Sequence, residues 1–162
     1  MEINILVDED FEKHLEVGWL QNVVERVLVI RNADPRVELG LVVTNQGKMQ
    51  ELNWSYLGRD RPTDVLAFSM LPEPLAVTEA EPKYSFTQPP DSVFHLGEVI
   101  ISYPQAVIQS EEHGHSVKRE IAILVIHGVL HLMGYDHNEP ELERQMEAEA
   151  EKILNGIEGE LD

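Results

Sequence analysis

Residues 116–137 read SVKREIAILVIHGVLHLMGYDH. Ile121, Ala122, Leu124, Val125, Val129, Leu130 and Leu132 are apolar on more than one side of a 3.6-residue repeat. The spacing therefore predicts a helix over 116–133 that is largely buried. Gly134 is its stop signal, because glycine turns the chain out of a helix without steric cost. A helix buried on several sides needs other elements packed around it, and the rest of the chain supplies them.

Residues 3–7, Ile-Asn-Ile-Leu-Val, read as a short strand. From Leu15 to Ile30 the apolar positions recur three or four apart, which predicts an amphipathic helix. Val37, Leu39, Leu41 and Val43 alternate, which predicts a strand to Thr44. Gln46 to Leu57 reads as a short helix, with Met49, Leu52 and Tyr56 on one face and Gly58 at its end. Strands follow at Val65–Met70 and Val93–Ser102, then a helix from Pro104 to Ser110. Pro140 to Leu154 reads as a polar helix with Leu142, Met146, Ile153 and Leu154 facing in. This order predicts an α+β fold: one small mixed β-sheet of about four strands, with five or so helices packed on it. The stretch 71–91 holds five of the nine prolines and little periodicity. It reads as a loop inserted into a single domain spanning residues 1–162.

The chain has 162 residues, 43% of them apolar and 26% charged, the balance of an ordinary globular protein. No apolar run reaches the roughly 20 residues that span a bilayer. The N-terminus lacks the basic and long apolar regions of a signal peptide, so a cytoplasmic location is expected. There is no cysteine, which excludes disulfides, thiolate metal sites and cysteine nucleophiles. The net charge is −18, which argues against non-specific binding to bare nucleic acid or anionic membrane. That charge is uneven. Residues 136–162 carry ten acidic and two basic side chains, whereas residues 31–64 carry five of each. A polyanionic partner must therefore use the middle of the chain.

Five of the seven histidines lie between His113 and His137. His127 and His131 stand at i and i+4, so both imidazoles project from one face of the helix, about one turn apart. After Gly134 turns the chain, His137 can fold back to the same point. Three neutral imidazoles with an open fourth position form the ligand set of a catalytic zinc site. Nitrogen donors argue against calcium and magnesium, whereas nickel, copper or iron(II) suit the same ligands. The expectation is one Zn2+ per chain, held by His127, His131 and His137. Metzincin metalloproteases share this spacing but place a glutamate after the first histidine as general base. Here that position is Gly128, so a peptidase lacks its proton acceptor.

The stretch from His127 to His137 resembles the signature of the YbeY family, bacterial rRNA maturation factors described as metal-dependent endoribonucleases. Two further blocks in the right order carry the resemblance along the chain. One is Leu52-Asn53 through Tyr56, continuing with Asp60, Pro62, Thr63, Asp64, Val65, Leu66 and Phe68. The other is Leu96-Gly97-Glu98-Val99-Ile100-Ile101-Ser102. The resemblance implies zinc on the three histidines, an α+β fold and cleavage of single-stranded RNA. It places that cleavage in maturation of the small-subunit rRNA 3′ end and in ribosome quality control. The implied partners are rRNA within the ribosome and ribosomal proteins or assembly factors, with no membrane and no DNA.

The chain departs from the family at Leu57, where an arginine usually follows the tyrosine. Arg59 and Arg61 lie close enough in sequence to supply the phosphate-binding charge, with a guanidinium's bidentate geometry. Asp136, beside His137, is the candidate carboxylate for orienting a ligand imidazole, and capping the following turn is the alternative role. His113 and His115 fall in a polar, glycine-containing turn and are expected at the surface. His95 lies in a strand and is a candidate to line the cleft, and Trp19 and Trp54 are expected in the core or lining a groove. The acidic charge supports a second reading, a ribosome-associated assembly factor whose zinc is structural. A metalloprotease-like hydrolase comes third.

Overall fold

The computed structural model describes residues 2–33, 35–57, 65–69, 94–133 and 140–157. Alternation builds the sheet. In β1 (Glu2–Val7) Ile3, Ile5 and Val7 face the main core, while Glu2, Asn4 and Leu6 are exposed. In β2 (Val37–Thr44) Val37, Leu39, Leu41 and Val43 are all buried on one side. β1 and β2 run parallel, joined through α1 (Val17–Ile30). α1 ends where Asn32 takes a positive φ of 54°. The amide of Ala33 then donates to the Leu28 carbonyl at 2.9 Å.

Next come α2 (Gln46–Leu57), β3 (Val65–Ser69) and β4 (Phe94–Ser102). The Asn45 side chain starts α2 by accepting a hydrogen bond from the Lys48 amide at 2.8 Å. The sheet order is β1-β2-β4-β3, with β4 parallel to β2 and β3 antiparallel on the edge. It is a mixed four-stranded sheet, as the order of elements predicts.

Three helices complete the described chain: α3 (Tyr103–His113), α4 (Val117–Leu132) and α5 (Pro140–Gly156). α3 runs three residues beyond the expected Ser110 and stops at Gly114, which is left-handed at φ 69°, ψ 34°. Its first turn is capped by Ser102, whose Oγ accepts from the Gln105 amide at 3.3 Å. Ser116 does the same for α4, accepting from the Arg119 amide at 3.1 Å. The two helices thus form a tight hairpin around a short polar turn. Leu15, expected inside the first helix, lies two residues ahead of it yet is buried.

α4 is the buried helix that its composition predicts, with ten of its sixteen residues buried. It packs against α1, α3, α5, β3 and β4. The main core lies between this helical layer and one face of the sheet. On the other face, Met49 and Leu52 of α2 meet Val42, Leu66, Phe68 and Ile100 in a smaller apolar cluster. Trp19 is buried, as expected. Trp54 is 60% exposed, a correction to its expected place in core or groove.

Gly128 sets how closely α4 approaches the sheet. A Cβ there would lie 2.5 Å from Cγ1 of buried Val99 on β4. Overpacking of this kind costs about 1–3 kcal/mol, and the helix propensity gained on replacing glycine with alanine offsets about 1 kcal/mol of it. Gly128→Ala is therefore expected to destabilise the protein by up to about 2 kcal/mol. Chemical denaturation checks this, and an unchanged or raised stability would mean that α4 shifts freely.

Candidate functional site

His127 and His131 both belong to α4, and both are half-buried between fully buried neighbours. Their spacing places the two imidazoles on one face, a turn apart. His131 lies in the last turn, where the helix dipole favours a cation. Imidazole nitrogen is a donor that zinc accepts. His137, Asp136, Arg59 and Arg61 lie outside the described residues, as do Gly134 and the 71–91 segment. β3 runs beside α4.

Gly128 now has a steric explanation. Its Cα–H faces Val99 of the sheet, where a metzincin-like glutamate has no room. The position is closed to a general base by packing.

The described residues do bring donors together elsewhere, at two histidines expected simply to lie at the surface. Glu120, in the first turn of α4, is only 2% exposed. His113 Nδ1 lies 2.7 Å from its Oε1, and His115 Nε2 lies 2.9 Å from the same oxygen. His113 is exposed, as expected, but His115 is half-buried. A buried carboxylate is costly unless it is paired, and the two imidazoles provide the pairing. One signal for this cluster is present in the sequence. Glu120 is the sole acidic residue within an otherwise buried helix face, five residues after a His-Gly-His turn.

Two other side chains find partners locally. His95 Nδ1 sits 3.2 Å from Glu38 Oε1 on the neighbouring strand. Lys118 places its ammonium 4.8 Å above the Trp19 ring, so this cation is engaged at the start of α4. Burial raises the Tyr103 phenol above its ordinary pKa, which keeps it protonated at neutral pH. Its ring stacks on Phe11 at 4.7 Å.

Fold and site together define an α+β protein with imidazole donors aligned along its central helix. The chain matches the family model described as Endoribonuclease YbeY over residues 5–158. It is 47% identical over 158 residues to the Endoribonuclease YbeY of Dehalococcoides mccartyi, covering 97% of this chain and 90% of that protein. A relative of the same description from a Roseiflexus species is 37% identical over 156 residues, covering 96% and 92%. The solution structure of TM1509 from Thermotoga maritima superposes with a TM-score of 0.65 at 26% identity, covering 98% of this chain and 90% of that one. The chain belongs to the Endoribonuclease YbeY family, a family of hydrolases that act on RNA.

Proposed function

We propose that this protein is a zinc-dependent, single-strand-specific endoribonuclease. It acts in the cytoplasm, in maturation of the small-subunit rRNA 3′ end and in ribosome quality control. The observation that carries the reading is the half-buried His127–His131 pair on one face of α4, in a chain of the Endoribonuclease YbeY family. His127, His131 and His137 hold one zinc ion, and Asp136 orients a ligand imidazole. When bound, zinc supplies Lewis acidity at the scissile phosphate and acidifies water toward neutral pH. Arg59 and Arg61 bind the phosphate and offset its charge. Residues 1–162 form one domain, with the proline-rich 71–91 segment as an insertion.

The test is metal content by mass spectrometry, alongside cleavage of single-stranded RNA with and without chelator. The reading requires one zinc per chain and cleavage that stops with chelation. Neutralising Arg59 and Arg61 together is expected to lower cleavage at least about tenfold, ~1.4 kcal/mol of transition-state stabilisation. Metal content stays unchanged, since neither is a ligand. Intact cleavage in that variant would move phosphate binding to other residues.

The net charge of −18 favours a second reading, an assembly factor with a structural zinc that reaches RNA only through the ribosome or a protein partner. Ribosome association that survives under conditions where no RNA is cut, with or without metal, would support it over the nuclease.

A further inference from the structure

We propose that His113, His115 and Glu120 form a second divalent transition-metal site, distinct from the three-histidine centre. Two imidazole nitrogens from the α3–α4 hairpin converge on one carboxylate oxygen from the start of α4. All the ligand atoms of the trio lie within 4.8 Å of one another. Around a tetrahedral zinc, neighbouring ligand atoms are about 3.3 Å apart, so the observed 2.7 and 2.9 Å need open by only a few tenths of an ångström. Two histidines and a glutamate leave a fourth position, and the 53% exposure of the His113 side chain opens that position to water. Nitrogen donors select zinc, cobalt or nickel over calcium and magnesium. Each neutral imidazole binds through the nitrogen that now donates to Oε1, its proton shifting to the other ring nitrogen as the metal replaces the hydrogen bond.

The backbone holds the donors ready. Gly114 reverses the chain between the two histidines, and the His115 amide donates to the Ser110 carbonyl at 3.1 Å. Glu120 and His127 are seven residues apart on one face of α4, about 10 Å along its axis, too far to share an ion. The metal at the second site would clamp the end of α3 to the start of α4. Its exposed ligand and the hydrogen bonds it must replace make it weaker than the three-histidine centre, so it loads on added zinc and not during purification.

The test uses the full chain carrying His131→Ala, freed of metal by chelator and titrated with zinc chloride. One equivalent should bind and raise the melting temperature. Adding either His113→Ala or Glu120→Gln should weaken that binding at least about tenfold and abolish the thermal shift. Glu120→Gln keeps the side-chain volume and an acceptor oxygen. His113 is exposed, so its variant stays folded even where the glutamine variant does not. No zinc uptake by the His131→Ala chain, or uptake indifferent to His113→Ala, would overturn the proposal. The outcome is separable from the proposed nuclease function. The metal that the native chain carries from purification, and its RNA cleavage, should be the same with His113→Ala as without it.

Discussion

His131→Ala is expected to leave purification without its stoichiometric metal and to cleave single-stranded RNA at less than about a hundredth of the native rate. The magnitude follows from ligand chemistry. Removing a partner that merely orients a metal ligand already costs about 10–100-fold in affinity or activity, so removing a ligand itself costs at least the upper figure. His131 lies in the last turn of α4, with Leu130 and Leu132 buried on either side of it. No neighbouring helical residue can replace its imidazole. Metal content should be measured in both the native and the His113→Ala backgrounds, which removes any contribution from the hairpin cluster. A His131→Ala protein that still carries one equivalent in both backgrounds would show that the three-histidine assignment is wrong. Loss of metal with cleavage intact would instead separate the metal from the reaction.

Gly97→Ala should lower stability by at least about 3 kcal/mol and Tm by roughly 6–12 °C. Gly97 has φ 138°, a conformation that L side chains rarely adopt. A Cβ there would lie 2.0 Å from the Phe68 carbonyl oxygen and 3.0 Å from Leu132 Cδ2. The obstacle on the β3 side is backbone, which cannot swing aside as a flexible side chain can. Gly97 also sits at the register shift where Glu38 pairs with His95 and Leu39 with Gly97. Here β4, the edge strand β3 and the last turn of α4 meet. Gly114→Ala is the control, because Gly114 is left-handed too but has nothing within 4 Å of its Cβ position. Equal losses for the two variants would mean that backbone conformation alone, and not close approach, demands the glycine at 97.

Local hydrophobic periods carry most of the architecture. The strand at Val37–Thr44 buries the face its period predicts, and the helix at Val17–Ile30 does so through Leu20, Val23, Val24, Val27 and Leu28, while Val17 and Ile30 at its two ends are exposed. Boundaries are less legible where capping decides them. α3 continues to His113 because the left-handed Gly114, and not a loss of apolar residues, ends it. Trp54 departs from its expected place because α2 meets the sheet through a small contact around Met49 and Leu52, which leaves its ring in solvent.

The i, i+4 spacing of His127 and His131 needs no tertiary information, since a helix brings residues four apart onto one face wherever it forms. The same local logic places the buried helix and the glycine turn after His113, and composition alone excludes thiolate chemistry. Long-range packing decides the rest. Gly128 and Gly97 read as ordinary glycines until Val99 and the Phe68 carbonyl are set against them. The sheet order β1-β2-β4-β3 depends on crossovers that no local pattern encodes. Along the chain, Glu120 stands out only as the single acid of the buried helix, with nothing to show that two imidazoles meet it. Only the close approach of α3 to α4 buries its carboxylate and brings two imidazoles onto one oxygen, because such convergence depends on how two helices meet and not on the period of either one.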